Sequence, residues 1–323
     1  TLTSKVFILQ SMNKTKDIHD LVVIGAGPAA LTAAIYTTRE EIDTTLYEKG
    51  LVGGLAATTD WIDNYPGYMK GIEGLRLADE LRGQAERFGT KIEFGEVKSL
   101  KRDGEAIILT VDDSEVRSRT ALIATGSNYR KLGVPGEEEY YARGVHYCAT
   151  CDGAFYAGKR LIVVGGGNSG VQEAMFLTRF ATHIDLLVRS ELKASEVLQR
   201  KLETMSDTIT VHTNVTVEEI VAEHEKVIGA RVKQKQTGEE RTIDADGVFV
   251  FIGLLPNTAF LADSGVELDE AGLVKSDENL QTSVPGVFVA GDVRSHATMQ
   301  IASAVGDGAT AALKIREYLE KEA

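Results

Sequence analysis

Hydrophobic residues in this chain gather into short runs that end on glycine, and the first of these leads straight into a helical pattern. Asp20-Leu-Val-Val-Ile-Gly25 has no polar position between Leu21 and Ile24, which predicts a parallel strand buried on both faces. Pro28 to Arg39 is rich in alanine and carries proline at its first turn, which predicts a helix; Thr44 to Glu48 supplies the next strand. The same order returns at Arg160-Leu-Ile-Val-Val-Gly165, with a helix expected from about Asn168 to Phe180 and a strand from His183 to Val188. Each beginning is followed by alternating β pattern and closes on an apolar strand, Ala121-Leu-Ile-Ala-Thr-Gly126 and Gly247-Val-Phe-Val-Phe-Ile-Gly253. A divergent internal duplication accounts for this repetition.

The chain then continues through Val284-Pro-Gly-Val-Phe-Val-Ala-Gly-Asp292 into a small-residue helix from about Ile301 to Leu319. That tail needs a sheet to join, and the economical topology returns it to the first unit. The expected architecture is therefore α/β, with two Rossmann-like three-layer (β/β/α) dinucleotide-binding domains, the second inserted in the first. The expected boundaries are 17–131 with 252–323 for the discontinuous domain, 132–251 for the insertion, and 1–16 for an N-terminal extension. Two crossing strands between the domains would form a hinge.

Length agrees with two cores, since 323 residues exceeds what one core usually organises. Hydrophobic residues at 43% and charged residues at 26% are a globular composition. The longest apolar run, Gly247 to Leu255, is far below the ~20 residues of a spanning helix, so no membrane association is expected. Thr1 to Lys16 has no small-residue cleavage pattern, and export is not expected. Net charge is −13 with Lys and Arg scattered, which argues against a nucleic-acid partner. The two cysteines are too few for a secreted disulfide framework, and a reducing, cytoplasmic setting follows.

Gly25-Ala-Gly27-Pro28-Ala29-Ala30 lies between strand and helix, where the first glycine permits the tight turn and the second lets backbone approach a pyrophosphate. Glu48 ends the second strand, placed to accept hydrogen bonds from an adenosine ribose. The plainer alternative is a glycine turn without a ligand. Gly165-Gly-Gly167-Asn168-Ser169-Gly170 repeats the arrangement, followed after its second strand by Val188-Arg189-Ser190. With no acid there and one guanidinium able to pair with a 2′-phosphate, the pattern tilts towards NADPH. Arg189 as a merely solvated charge is the alternative.

Cys148-Ala-Thr-Cys151-Asp152 supplies a third redox centre, because a CxxC disulfide opens and closes with two electrons and Asp152 adjoins it as a proton donor or acceptor. A zinc site from His146, Cys148 and Cys151 lacks a fourth ligand nearby. Inert buried cysteines are the remaining alternative.

Cys148 to Tyr156, Cys-Ala-Thr-Cys-Asp-Gly-Ala-Phe-Tyr, resembles the active-site signature of low-molecular-weight thioredoxin reductases almost letter for letter. The resemblance continues through the Gly25 fingerprint, Gly53-Gly54, Asp63-Asn64-Tyr65-Pro66-Gly67, Ala124-Thr125-Gly126, the Gly165 fingerprint, and Thr282 to Gly286 leading to Ala290-Gly291-Asp292. It implies FAD in the discontinuous domain and NADPH in the inserted one, which swings so that its disulfide or its nicotinamide faces the flavin. It implies Cys151 as the sulfur nearest the flavin, Cys148 as the one that attacks the partner disulfide, and Asp152 as the acid–base residue. On the flavin side it implies Gly25, Gly27, Pro28, Ala29, Glu48, Lys49, Gly54, Leu55, Asn64, Val97, Thr125, Gly126 and Gly291. Asp292 falls at the ribityl chain and Gln300-Ile301 near the isoalloxazine ring.

The NADPH residues carried over are Gly165, Gly167, Asn168, Ser169, Arg189 and Ser190. A thioredoxin or thioredoxin-like partner and a homodimer are likewise implied.

The chain departs from that family around the electron donor. The usual His-Arg-Arg run appears as Val188-Arg189-Ser190 with Lys193 as a late substitute, and the fingerprint ends in Gly170 where alanine is usual. Leu55 stands for a frequent glutamine and Met299 for the usual arginine. Relatives using NADH, ferredoxin or another reductant, dithiol oxidases, and a non-enzymatic flavin-binding redox sensor are the competing readings.

Overall fold

In the computed structural model the described residues are 18–59, 61–62 and 64–322; the segment 1–16, expected to be an extension, lies outside them. The chain divides into two compact units, residues up to 127 with those from 256 onward, and residues 128–255.

In the first unit the strands run in the order Lys91–Phe94, Thr44–Glu48, His19–Ile24, Ser114–Ile123, Ala106–Val111 and Val97–Asp103. The first four strands are parallel, and the last two fold back as an antiparallel meander. Ser114–Ile123 changes neighbour along its length. Its first half pairs with the meander, while Ala121 to Ile123 pair in parallel with Val287–Val289 of the returning tail. The tail thus joins the sheet of the first unit, as its need for strand partners required.

The unbroken apolar run at Leu21 to Ile24 is explained by the two faces it serves. Leu21 and Val23 pack with the helices, while Val22 and Ile24 pack with the meander side chains Leu100, Ile107 and Leu109. Three layers result, and a strand in the middle layer has no polar face to spare. On the helical side, Pro28–Arg39 lies against Ile301–Lys321. Gly308 makes the approach possible, because a Cβ there would sit 2.2 Å from the carbonyl oxygen of Ala29.

The second unit repeats the layering. Its parallel sheet runs Val145–His146, Gly247–Val250, Arg160–Val164, His183–Val188, Ile209–Thr213. An antiparallel sheet of Val215–Glu223, Lys226–Gln234 and Glu240–Asp244 forms another layer. Leu161 and Val163 face Val171, Ala174 and Leu177, whereas Ile162 and Val164 face Val215, Ile220 and Val232. The helix expected to reach Phe180 ends at Leu177. There Thr178 turns its hydroxyl back to the Met175 carbonyl, and Gly158 N–H takes the Phe180 carbonyl, drawing the chain out of the helix.

One buried charge is held within this sheet. Asp185 accepts hydrogen bonds from His212 Nε2 at 2.7 Å and Arg160 Nη2 at 3.3 Å, with His183 Nε2 4.0 Å away. Burial pushes its carboxyl up, but the His212 hydrogen bond and the charges of His212, His183 and Arg160 outweigh this and leave it below the usual carboxylate range. Its stabilising contribution is therefore complete above the unfolded-state value and is lost as pH falls through the depressed folded value. Asp185→Asn is expected to cost about 2–3 kcal/mol at neutral pH. In urea unfolding across pH, the gap to the unaltered chain should close below the ordinary carboxylate range.

Candidate active site

The strand Val145–His146 delivers the chain to Cys148, which sits in extended backbone (φ −134°, ψ 106°) as N-cap of the one-turn helix Ala149–Asp152. That turn brings the two cysteines together: Cys148 and Cys151 form a disulfide with Cα atoms 5.3 Å apart, and Cys151 N–H donates to Cys148 Sγ at 3.2 Å. Asp152 N–H closes the turn on the Cys148 carbonyl at 3.2 Å. Gly153 follows because the turn packs hard on its neighbours; a Cβ there would lie 2.8 Å from Leu177 Cδ2. The Asp152 carboxylate, only 18% exposed, lies 3.2 Å from His146 Nδ1, and the other ring nitrogen of His146 is 2.7 Å from the Tyr156 hydroxyl. Both imidazole nitrogens are thus engaged, and the two sulfurs are joined to each other. Among the described residues no group of three or more His, Cys, Asp or Glu can hold a metal ion.

In the first unit the glycine turn meets its strictest test at Gly25, whose φ is +102° and where a Cβ would stand 2.6 Å from the Ala124 carbonyl oxygen. Gly27 differs, having nothing within 4 Å of a Cβ position. Gly54 comes close beneath, its Cβ position 3.6 Å from Gly27 Cα, and Gly53 N–H bonds the Ala26 carbonyl. Glu48 accepts from Ala26 N–H and Gly50 N–H, each at 2.8 Å, which fixes its carboxylate beside the loop. Pro28 and Ala29 form the first turn of the following helix.

Other chain segments converge on the same end of the sheet. Thr125 and Asn257 exchange two hydrogen bonds at 2.8 and 2.9 Å, and Asn257 N–H reaches the Gly126 carbonyl. Gly291, at φ +77°, packs on Ala29 and donates to Asp307 Oδ2 at 3.2 Å. Gln300 caps the helix that Ile301 begins, and its side-chain oxygen accepts from Asn64 Nδ2 at 3.1 Å.

Asp292 is the informative member. Its Oδ1 is buried without a hydrogen-bond partner. Burial, with the nearby charge of Asp307 adding to it, pushes its carboxyl up to about 6. A buried carboxylate oxygen left unpaired is costly unless a ligand hydroxyl completes it. The open face at Gly27, the fixed acid at Glu48 and this orphaned acceptor together fit a dinucleotide that carries a polyol.

The second fingerprint is built on the same plan. A Cβ at Gly165 (φ +149°) would meet the Phe251 carbonyl oxygen at 2.3 Å, whereas Gly167 is open. Gly170 is pressed against the turn, with a Cβ position 2.3 Å from the Gly165 carbonyl oxygen, so the helix approaches more closely than alanine permits. The segment after the second strand folds back over this loop: Lys193 and Ala194 N–H both reach the Gly166 carbonyl, and Ser195 N–H donates to Asn168 Oδ1 at 2.8 Å. Arg189 and Ser169 are exposed, and Ser190 holds Asn214 N–H through its carbonyl.

Residues 19–308 match the family model described as pyridine nucleotide-disulphide oxidoreductase. The chain belongs to that family. It is 40% identical to the thioredoxin reductase of Listeria monocytogenes over 96% of this chain and 97% of that protein. It is 39% identical to that of Bacillus subtilis over 94% and 96%. The crystal structure of thioredoxin reductase from Streptococcus pyogenes superposes with a TM-score of 0.90 at 38% identity, covering 95% of this chain and all of that one.

Two residues expected at the flavin site have side chains engaged within the protein. Lys49 directs its ammonium to Glu96 Oε1 at 3.4 Å in an exposed pair, and the Val97 side chain is spent in the core, leaving only its backbone to offer. Leu55 lies in the short helix Gly54–Ala57. Two groups absent from the expected set do enter the geometry. Asp307 holds Gly291 N–H and pairs with Arg294 at 3.0 Å, and His146 faces Asp152. In the sequence His146 entered only the zinc alternative, which lacked a fourth ligand, and nothing there tied it to Asp152.

Proposed function

We propose that this chain is a thioredoxin reductase that passes electrons from NADPH through FAD to the Cys148–Cys151 disulfide and on to a thioredoxin. The observation that carries the reading is a disulfide closed at the N-cap of a one-turn helix, with a carboxylate in the next residue, in a family member whose two units each open on a dinucleotide fingerprint.

A bound flavin would supply exchange between hydride and dithiol electrons. Gly25, Gly27, Pro28, Ala29, Gly54, Thr125, Gly126 and Gly291 would provide its backbone cradle, and Glu48 would accept from its ribose. Asp292 would accept from its polyol, with Asn64, Gln300 and Ile301 beside the ring. In the second unit Gly165, Gly167, Asn168 and Ser169 would hold the pyrophosphate of the donor and Arg189 its 2′-phosphate. Cys148 attacks the partner disulfide, and Cys151 N–H offers a hydrogen bond to negative charge on the Cys148 sulfur. Cys151 resolves the mixed disulfide, and Asp152 carries the proton. The same reading implies a homodimer in a reducing cytoplasm.

Flavin-loaded protein supplied with NADPH and oxidised thioredoxin should turn over, with thiols appearing on thioredoxin. Peroxide formation from a small dithiol, with no thioredoxin reduction, would replace the reading by a dithiol oxidase. Because Arg189 stands where the family usually places several basic residues, preference for NADPH over NADH should be modest. Ser190→Arg adds a second guanidinium for the 2′-phosphate, and should raise the NADPH/NADH ratio of kcat/KM by about tenfold.

A further inference from the structure

Behind the redox turn lies a line of three polar side chains in an otherwise aromatic pocket. His146 is 5% exposed; its ring stacks on Phe249 with centroids 5.0 Å apart and meets the edge of Tyr156 at 5.4 Å. Strand pairing sets this arrangement, because His146 is in register with Phe249 on the neighbouring strand. Room for the Tyr156 ring exists only because residue 247 is glycine, where a Cβ would stand 2.5 Å from the ring.

A buried imidazole beside a carboxylate needs both nitrogens satisfied, and here they are. Tyr156, itself buried, is held well above the ordinary tyrosine value by burial first, then by the charges of Asp152 and Asp246, so its hydroxyl keeps its proton. Its oxygen lies 2.7 Å from His146 Nε2 and can accept from an Nε2–H, the arrangement that leaves Nδ1 free to take a proton from Asp152. Nδ1 lies 3.2 Å from Asp152 Oδ2. Lys159 is a further charged neighbour, its ammonium 6.0 Å from the Tyr156 ring centroid.

We infer that His146 is a positioning residue that acts through Asp152: with Tyr156 it fixes the carboxylate and shares the proton that Asp152 delivers during disulfide exchange. The inference rests on the thioredoxin reductase reading above. Oxidation of the Cys148 and Cys151 thiols to their disulfide releases two electrons and two protons, and the partner disulfide takes up both as it becomes two thiols. Asp152 relays a proton from an enzyme thiol to a departing partner thiolate, and His146 holds that proton between the two events. The Tyr156–His146–Asp152 line orders these groups as a third residue orders an acid–base pair elsewhere, with the carboxylate here at the working end.

Flavin-loaded His146→Gln and Tyr156→Phe, both close in volume to the originals, are compared with the unaltered protein in thioredoxin reduction across pH. The glutamine amide can still donate to Asp152 but cannot take up a proton. The expected result is a kcat lowered by about tenfold or more in His146→Gln, with KM for thioredoxin within about twofold and one limb of the pH profile displaced by about one unit or lost. Tyr156→Phe should show a smaller change in the same limb. A His146→Gln protein with unaltered kcat and pH profile, or a uniform loss in kcat and KM at every pH, would overturn the inference. If the unaltered protein fails to reduce thioredoxin at all, the parent reading falls instead, so the two failures are distinguishable.

Discussion

Replacing Cys148 by serine is expected to lower thioredoxin-dependent turnover by roughly 10⁴-fold or more, while bleaching of the bound flavin by its electron donor persists. The hydroxyl is small enough for the N-cap position and still accepts from Cys151 N–H, so the turn Ala149–Asp152 should keep its shape. What is lost is the second sulfur, without which no intramolecular disulfide can open or close. The variant should also take up roughly two electrons fewer per chain in an anaerobic reductive titration, the capacity of one disulfide. Undiminished thioredoxin reduction would mean that electrons leave the protein by another route.

Asp292→Asn should move two properties in opposite directions. In the ligand-free protein the Asp292 carboxyl is held up at about 6 by burial and by Asp307, and its Oδ1 has no partner. The folded protein then binds this proton more tightly than the unfolded chain does, whose carboxyl titrates near about 4. Folding is accordingly favoured as pH falls from about 6 to about 4, and the full penalty, about 2–3 kcal/mol, is present above about 6. Asparagine removes the charge, so the apoprotein of the variant should be the more stable at pH 7–8, by about 2 kcal/mol, with the difference gone below pH about 4. Flavin affinity should fall by roughly 10- to 100-fold, because a charged acceptor for a buried ligand hydroxyl is exchanged for a neutral one. Denaturant unfolding of the apoprotein and flavin titration of the refolded chain measure the two. A variant that binds flavin as tightly as its parent would remove Asp292 from the binding site.

These outcomes separate what the sequence exposed from what only the fold brings together. The two fingerprints were legible because glycine conformational demands are local: Gly25 and Gly165 occupy positive φ against a carbonyl of the adjoining strand. The layering was legible at Leu21 to Ile24, where the missing polar face required cover on both sides. The cysteine pair was legible because three residues of spacing fit one helical turn. Contacts that cross the topology were not. Asp307 reaches Gly291 from within the C-terminal helix, and Asn257 reaches Thr125 where the chain returns to the first unit, so neither carries a spacing signature. His146 stands six positions before Asp152 across a sharp turn, a separation that no periodic rule connects. Lys49, carried over from the family resemblance alone, has its ammonium 3.4 Å from Glu96 Oε1, a pairing that no local pattern announces.

On the proposed route, Cys148 is the sulfur that attacks the partner. The direct measurement is to mix reduced Cys151→Ser protein with oxidised thioredoxin and resolve the products by intact mass after acid quenching. Without the resolving sulfur, the account predicts a stable one-to-one mixed disulfide through Cys148, and none when Cys148→Ser is carried as well. An adduct that still forms in the double variant, or none in Cys151→Ser while the unaltered protein reduces thioredoxin, would contradict it.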